Sequence, residues 1–226
     1  MTNDNQKPAP GSVKDLLAVG ASTILSLFPA TAPIGAMGSY GLFVWQREQL
    51  NKFIDECKQR FDRLDQDKLD RTALESDEFK SLLLQAVEIG AETASDLKRK
   101  ALASAISNSV VLPTSQFTGK QALLRVLSQL DDQEMLALGV FSDEEPRLVE
   151  YEATMQEHKL SRRGFVTEAD VARKLGWNEE EASVVCEGLS QLGLIYSTTF
   201  GAVLTKTRDT WRITVLAKKL IKWSGE

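Results

Sequence analysis

The alternation of apolar and polar positions changes character several times along the chain. From Leu16 to Trp45, "LLAVGASTILSLFPATAPIGAMGSYGLFVW" contains no charged residue. Directly after it, in "QREQLNKFIDECKQRFDRLDQDKL", Leu50, Ile54, Cys57, Phe61 and Leu64 succeed one another at spacings of 4, 3, 4 and 3, with charged or amide side chains nearly everywhere between. A stripe that narrow is the pattern of a coiled-coil seam, whereas a helix lying on a globular core presents a broader apolar face. It predicts a helix that ends near Lys68 and whose seam meets a second copy in parallel, bringing Cys57 opposite its own counterpart.

Beyond the seam, "TALESDEF" supplies a helix start, with Ser76 as N-cap and acidic residues in the first turn to suit the helix dipole. Phe79, Leu83, Val87 and Ala91, widened by Leu82, Ala86 and Ile89, keep helical period from there to about Ile106. "VLPTSQFTG" breaks the pattern. A short helix through Leu123, Leu124, Leu127 and Leu130 comes next, then another from Met135 to Phe141. The acidic "SDEEPRL" marks a boundary, and Pro146 opens a charged helix leading to the basic "KLSRRG".

The last third carries the clearest signals. Thr167 caps "EADVARKLG" and Gly176 ends it; Asn178 caps "EEEASVVCEGLSQLG" and Gly193 ends it. "LIYSTT" and "DTWRITV" read as strands around a turn near Gly201, and "ITVLAKKLIKW" closes the segment as a helix. From about residue 160 to 224 this order of caps, glycines and strands resembles a winged helix-turn-helix. That resemblance implies a second helix laid against a ligand and a hairpin wing beside it. A DNA-reading helix needs side chains that approach phosphates and base edges. Here the second helix carries Glu179, Glu180, Glu181 and Glu187 and has no Lys or Arg from Asn178 to Leu192, so it repels a phosphate backbone. Contact with a nucleic acid or an acidic partner is therefore assigned to Arg173 and Lys174 on the preceding helix and to Lys206, Arg208 and Arg212 on the wing, with Lys218, Lys219 and Lys222 on the last helix. The competing expectation is a protein-interaction domain with an ordinary solvated surface.

The charge-free stretch admits three readings. As an export signal it would place Pro33 first in the mature chain after "ATA", which disfavours cleavage. As one helix it would reach about 45 Å at 1.5 Å per residue, more than the roughly 30 Å of bilayer hydrocarbon. Pro29 and Pro33 divide it into Leu16 to Phe28 and Ile34 to Trp45, and 11 of its 30 residues are Gly, Ser, Thr or Pro. One copy alone is thus a marginal span, but Gly35, Gly38 and Gly41 allow close helix approach within an assembly, and Tyr40 and Trp45 suit a membrane interface. The third reading is a buried hairpin in a soluble domain. The membrane reading is preferred because thirty uncharged residues is long for such a hairpin.

Composition narrows the chemistry. The chain of 226 residues is 42% apolar, enough for a real core, and carries a net charge of -5. That charge is uneven: residues 1 to 158 hold 16 Lys and Arg against 24 Asp and Glu, a net of -8, and residues 159 to 226 hold 11 against 8, a net of +3. Cys57 and Cys186 show no paired spacing, which points to a reducing compartment rather than a disulfide scaffold or zinc site. A single histidine, His158, lies in a charged connector. In "FTGKQ", Thr114 stands where a phosphate-binding loop needs its first glycine and Gln121 where it needs Ser or Thr. No nucleophile-base pair, metal set or phosphate loop emerges, so neither an enzyme nor a cofactor is expected.

These readings combine into a mainly α chain with four parts: a flexible tail (1–12), an uncharged apolar, membrane-prone helical segment (13–46), a helical, coiled-coil oligomerisation domain (47–145) and a C-terminal winged-helix, α+β domain (146–226). In overall plan it resembles small bacterial membrane-associated effectors of phage defence. The resemblance implies a homo-oligomer, seated in the inner membrane with its C-terminal domain in the cytoplasm, that perturbs or perforates the bilayer as an ion channel when the winged helix senses a protein or nucleic-acid ligand. The alternative is a soluble, cytoplasmic winged-helix transcriptional regulator with a helical dimerisation domain.

Overall fold

The computed structural model describes residues 37–64, 68–111, 113–143, 166–197 and 210–225, which form a mainly helical protein with a small antiparallel sheet near the C-terminus. It divides into two compact units, one ending at Ser128 and the other starting at Gln129. This division falls ahead of the expected boundary at "SDEEP", because the helix preceding that acidic break packs with the C-terminal elements.

In the N-terminal unit the longest element is α1 (Met37–Arg63), succeeded by the short α2 (Arg71–Glu75), α3 (Asp77–Glu92) and α4 (Asp96–Asn108). A 3-10 turn at Thr114–Gln116 precedes α5 (Lys120–Gln129). Each of the starts of α2, α3 and α4 is written locally. Asp70 accepts from the Ala73 amide, Ser76 Oγ from the Phe79 amide at 3.1 Å, and Ser95 Oγ from the Lys98 amide at 2.9 Å. The Ser95 cap splits the single helix expected from Phe79 to Ile106: Thr93, Ala94 and Ser95 leave helical geometry, and α4 starts afresh.

The stripe assigned to a seam between chains is spent inside the protomer. Leu50, Ile54, Cys57 and Phe61 are all buried, Leu64 is half-buried, and α1 packs on α3 and α4 of its own chain. Phe53, also fully buried, widens the face, so α1 is an ordinary core-facing helix from Gln49 onward. Spacing alone reports which residues share a face and cannot say whose helix covers it. Phe53 sits so close to α3 that a Cβ on Gly90 would lie 2.6 Å from its Cγ. Gly90→Ala should therefore destabilise: overpacking costs about 1–3 kcal/mol, which outweighs the roughly 1 kcal/mol alanine gains in helix propensity. Thermal unfolding followed by circular dichroism should show a melting temperature several degrees lower.

The C-terminal unit opens with α6 (residues 132–143). Its N-terminus is closed reciprocally, the Glu134 amide donating to Asp131 Oδ1 at 2.7 Å and the Asp131 amide to Glu134 Oε2 at 2.9 Å. Then come β1 (Val166–Thr167), α7 (Glu168–Leu175), α8 (Glu179–Gln191), β2 (Ile195–Ser197), β3 (Thr210–Ile213) and α9 (Val215–Ser224). The sheet order is β1-β3-β2, all antiparallel, with Val166 opposite Trp211 and Tyr196 opposite Arg212. Thr167 and Asp170 form a full capping box at the start of α7, and Gly176 ends it at φ +72°. Asn178 caps α8, Gly193 (φ +69°) turns the chain into β2, and Thr214 caps α9. A core of Val171, Ala182, Cys186, Leu189, Leu220 and Trp223 lies beneath. Helix α6 belongs to this unit by contact: Gln133 Nε2 donates to Glu181 Oε1 at 2.9 Å, and a Cβ on Gly188 would meet Glu134 Oε1.

Candidate interaction surfaces

Helix α1 changes environment part-way along its 27 residues. The uncharged stretch "MGSYGLFVW" forms its first turns, and there Gly41, Leu42 and Val44 are exposed, Leu42 at 57% and Val44 at 47%, with Trp45 half-buried. Among the described side chains of α1 the first buried ones are Gln49 and Leu50, in the charged half of the helix. Among the described side chains of α1, Leu42 and Val44 in the uncharged part are thus exposed while the charged half is packed.

Gln49 is also an anchor. Its Oε1 accepts from the buried Arg99 guanidinium at 2.7 Å; the same Arg99 nitrogen donates to the Thr93 carbonyl at 2.8 Å, and its other terminal nitrogen pairs with Asp96. A buried arginine is tolerable only when its donors are filled, so this cluster fixes where α1 enters the core. Of the stretch assigned to a membrane, Gly38, Gly41 and Trp45 lie on α1, and Leu16, Phe28, Pro29, Pro33 and Gly35 lie outside the described residues. Among the described residues no helix is long and apolar enough to cross a membrane.

A second surface is the outward face of α8. Positions 180, 184, 187 and 191 recur at helical spacing and are exposed: Glu180, Val184 at 65%, Glu187 and Gln191. Glu181 is held by Gln133, and Ser183 Oγ donates to Glu168 Oε1 at 3.2 Å, so the outward face is an apolar residue between two carboxylates. The third surface is α9, whose exposed positions are Val215 at 71%, Lys218, Lys219 and Lys222, again one helical face.

Of the basic residues assigned to ligand contact, Arg173, Lys174 and Arg212 are among the described residues. Arg173 pairs with Asp170 at 2.5 Å, and Lys174 is exposed at the end of α7. Burial raises the Asp170 carboxyl, but hydrogen bonds from Thr167 and the Arg173 charge outweigh it and leave the group below its ordinary value. Arg212 is half-buried on β3; Lys206, Arg208 and His158 lie outside the described residues.

Lys120 is buried and turned onto the backbone, its Nζ donating to the carbonyls of Ser109 at 3.3 Å and Ser115 at 2.5 Å, which closes the C-terminal end of α4. Burial pushes its pKa down, against the pull of Glu78 and Asp70. This role was not legible in "FTGKQ", since it depends on the return of α4 beside the turn. Cys57 and Cys186 are both buried free thiols; desolvation raises both, Cys186 to about 12. Burial of both disfavours the reactive thiolate. Among the described residues there is no cluster of His, Cys, Asp and Glu that could hold a metal ion. Comparison with protein families, with curated proteins and with solved structures returns no match.

Proposed function

We propose that this protein is a non-enzymatic, membrane-associated effector: the charge-free stretch from Leu16 to Trp45 seats it in the inner membrane, and the two packed units stand in the cytoplasm. The observation that carries this reading is the exposure of Leu42 and Val44 ahead of the packed, charged half of α1. Leu42 and Val44 are each about half exposed, which forgoes roughly half of the about 1.5–3 kcal/mol that full burial of such a side chain contributes, and these two continue directly from a long uncharged sequence. A bilayer interface uses such a surface, with Trp45 at the headgroup level and Arg47 and Lys52 beyond it. Because the α1 stripe is occupied within the protomer, self-association in the membrane falls to Gly35, Gly38 and Gly41, small residues that let helices approach.

The C-terminal unit we read as a winged helix that senses a partner. The order β1, α7, α8, β2, β3, α9 with a short turn at Gly176 supports that reading, and the acidic outward face of α8 argues for a protein partner over a DNA major groove. For the same reason the soluble transcriptional regulator is the weaker reading. The resemblance in plan to phage-defence effectors, read from the sequence, adds a finer proposal, a conducting oligomer. It requires that expression with the trigger depolarise cells, as read with a potential-sensitive dye.

The test of membrane seating is a double substitution, Leu42→Glu with Val44→Glu. Both positions are exposed, so the folding stability should stay within about 0.5 kcal/mol of the parent for each change. Flotation with phospholipid vesicles should recover the parent chain with lipid and leave the variant behind. Equal flotation of the two, or a variant that no longer folds, would refute the assignment.

A further inference from the structure

Where α1 enters the core it is tied to the turn between α3 and α4. One nitrogen of the buried Arg99 donates both to Gln49 Oε1 on α1 and to the carbonyl of Thr93, so that turn stands beside the first buried residue of α1. A second close approach gives the direction of packing. Gly90, which precedes Thr93, lies against Phe53, which follows Gln49. Helices α1 and α3 are therefore antiparallel, and the α3–α4 turn marks the end of the N-terminal unit from which the uncharged turns of α1 project. Trp45 comes one helical turn before Gln49, about 6 Å at 1.5 Å per residue, so the α3–α4 turn reaches nearly the level of Trp45. At that end Ala94 is exposed, and so is Leu97, in the first turn of α4.

We propose that the α3–α4 turn is a second membrane contact, with Ala94 and Leu97 touching the bilayer surface while the charge-free stretch ahead of α1 is seated in it. This rests on the membrane reading above and adds an orientation, the N-terminal unit standing end-on to the bilayer with Arg99 holding its two contacts together. A bilayer is favoured over a protein partner because the same end carries Leu42, Val44 and Trp45, which complete the uncharged run from Leu16. The exposed charges around it balance in sign, Glu92 and Asp96 against Arg47 and Lys100, so the contact is apolar and does not depend on anionic lipid or on salt.

Site-directed fluorescence on the full chain tests this. Ala94→Cys and Leu97→Cys provide two probe sites at the end of the unit, and the native thiols Cys57 and Cys186 are buried. Leu84→Cys is the control: Leu84 is also an exposed leucine of this unit, but it lies eight residues before the end of α3, about 12 Å from that end. Each variant carries a polarity-sensitive dye and is floated with phosphatidylcholine vesicles. The dye at 94 and at 97 should move to the blue, brighten several-fold and be quenched by a spin label on the lipid headgroup; the dye at 84 should do none of these. Adding Leu42→Glu and Val44→Glu should remove the response, and raised salt should leave it unchanged. Chains that do not float refute membrane seating and this contact with it. Chains that float with the same emission at 84, 94 and 97 refute this contact alone. A blue shift at 97 without lipid, growing with protein concentration, would overturn it in favour of a second copy of this chain.

Discussion

Phe61→Glu should unfold the N-terminal unit and should not merely separate associated chains. Phe61 lies on the buried face of α1, 6% exposed, one turn beyond Cys57. Removing a buried phenylalanine costs about 3–5 kcal/mol, and a carboxylate forced into the same place adds a desolvation penalty of several kcal/mol. The sum approaches the whole stability of an ordinary domain, about 5–15 kcal/mol. Two readouts separate the outcomes. In the parent chain Cys57 should resist alkylation, since it is fully buried and its thiol is raised far above the ordinary value by desolvation. In the variant it should react at the rate of an unfolded thiol, with loss of helical circular dichroism. A variant that keeps its helicity and protected Cys57 but runs as a smaller species would restore the seam between chains.

Trp223→Ala should have the second largest effect, and in the other unit. Trp223 is fully buried near the end of α9, with Leu220 and Ala217 on the same buried side. Truncation of a buried tryptophan costs about 3–5 kcal/mol, and here it also removes the side chain that holds the last helix on the core. Trp177 and Trp211 remain as reporters, since three of the chain's four tryptophans lie after residue 176. Their emission should shift to the red at a lower urea concentration than in the parent. The alkylation of Cys57 should keep its parental midpoint, because the N-terminal unit has its own core. A midpoint unchanged for tryptophan emission would mean that α9 is not part of that core.

What the sequence revealed of this architecture was mostly punctuation. Ser76, Thr167, Asn178, Gly176 and Gly193 act locally, through a side-chain oxygen on a nearby amide or a positive φ, so their roles were legible from a few neighbouring residues. Ser95 uses the same chemistry, yet it was masked by apolar residues on both sides that continue a helical period across the break. Strand β1, only two residues long, has no pattern of its own and exists because Val166 and Thr167 pair with β3. The α1 stripe shows the deeper limit. Apolar spacing gave the correct face but not its partner, which α3 and α4 of the same chain supply. The surfaces divide likewise. That α8 lacks basic residues was visible in "EEEASVVCEGLSQ", but which of its carboxylates face outward depends on Gln133 and Gly188, and so on how α6 packs.

Acid should weaken this punctuation before it weakens the cores. Asp70 and Asp170 are held below their ordinary carboxyl values by the helix starts they serve. Their stabilisation is present above the unfolded value of 3.8 and is lost as the pH falls from there through the folded values. Circular dichroism along an acid titration should show helix loss setting in over that window.

Recovery with membranes of the full chain, against a chain that starts at Gln46, tests membrane seating most directly. The shorter chain keeps the buried run that begins at Gln49, so it should retain its helical circular dichroism. The full chain should pellet with membranes and need detergent for release, while the shorter chain stays in the soluble fraction. A full chain recovered soluble without detergent would contradict membrane seating by the charge-free stretch.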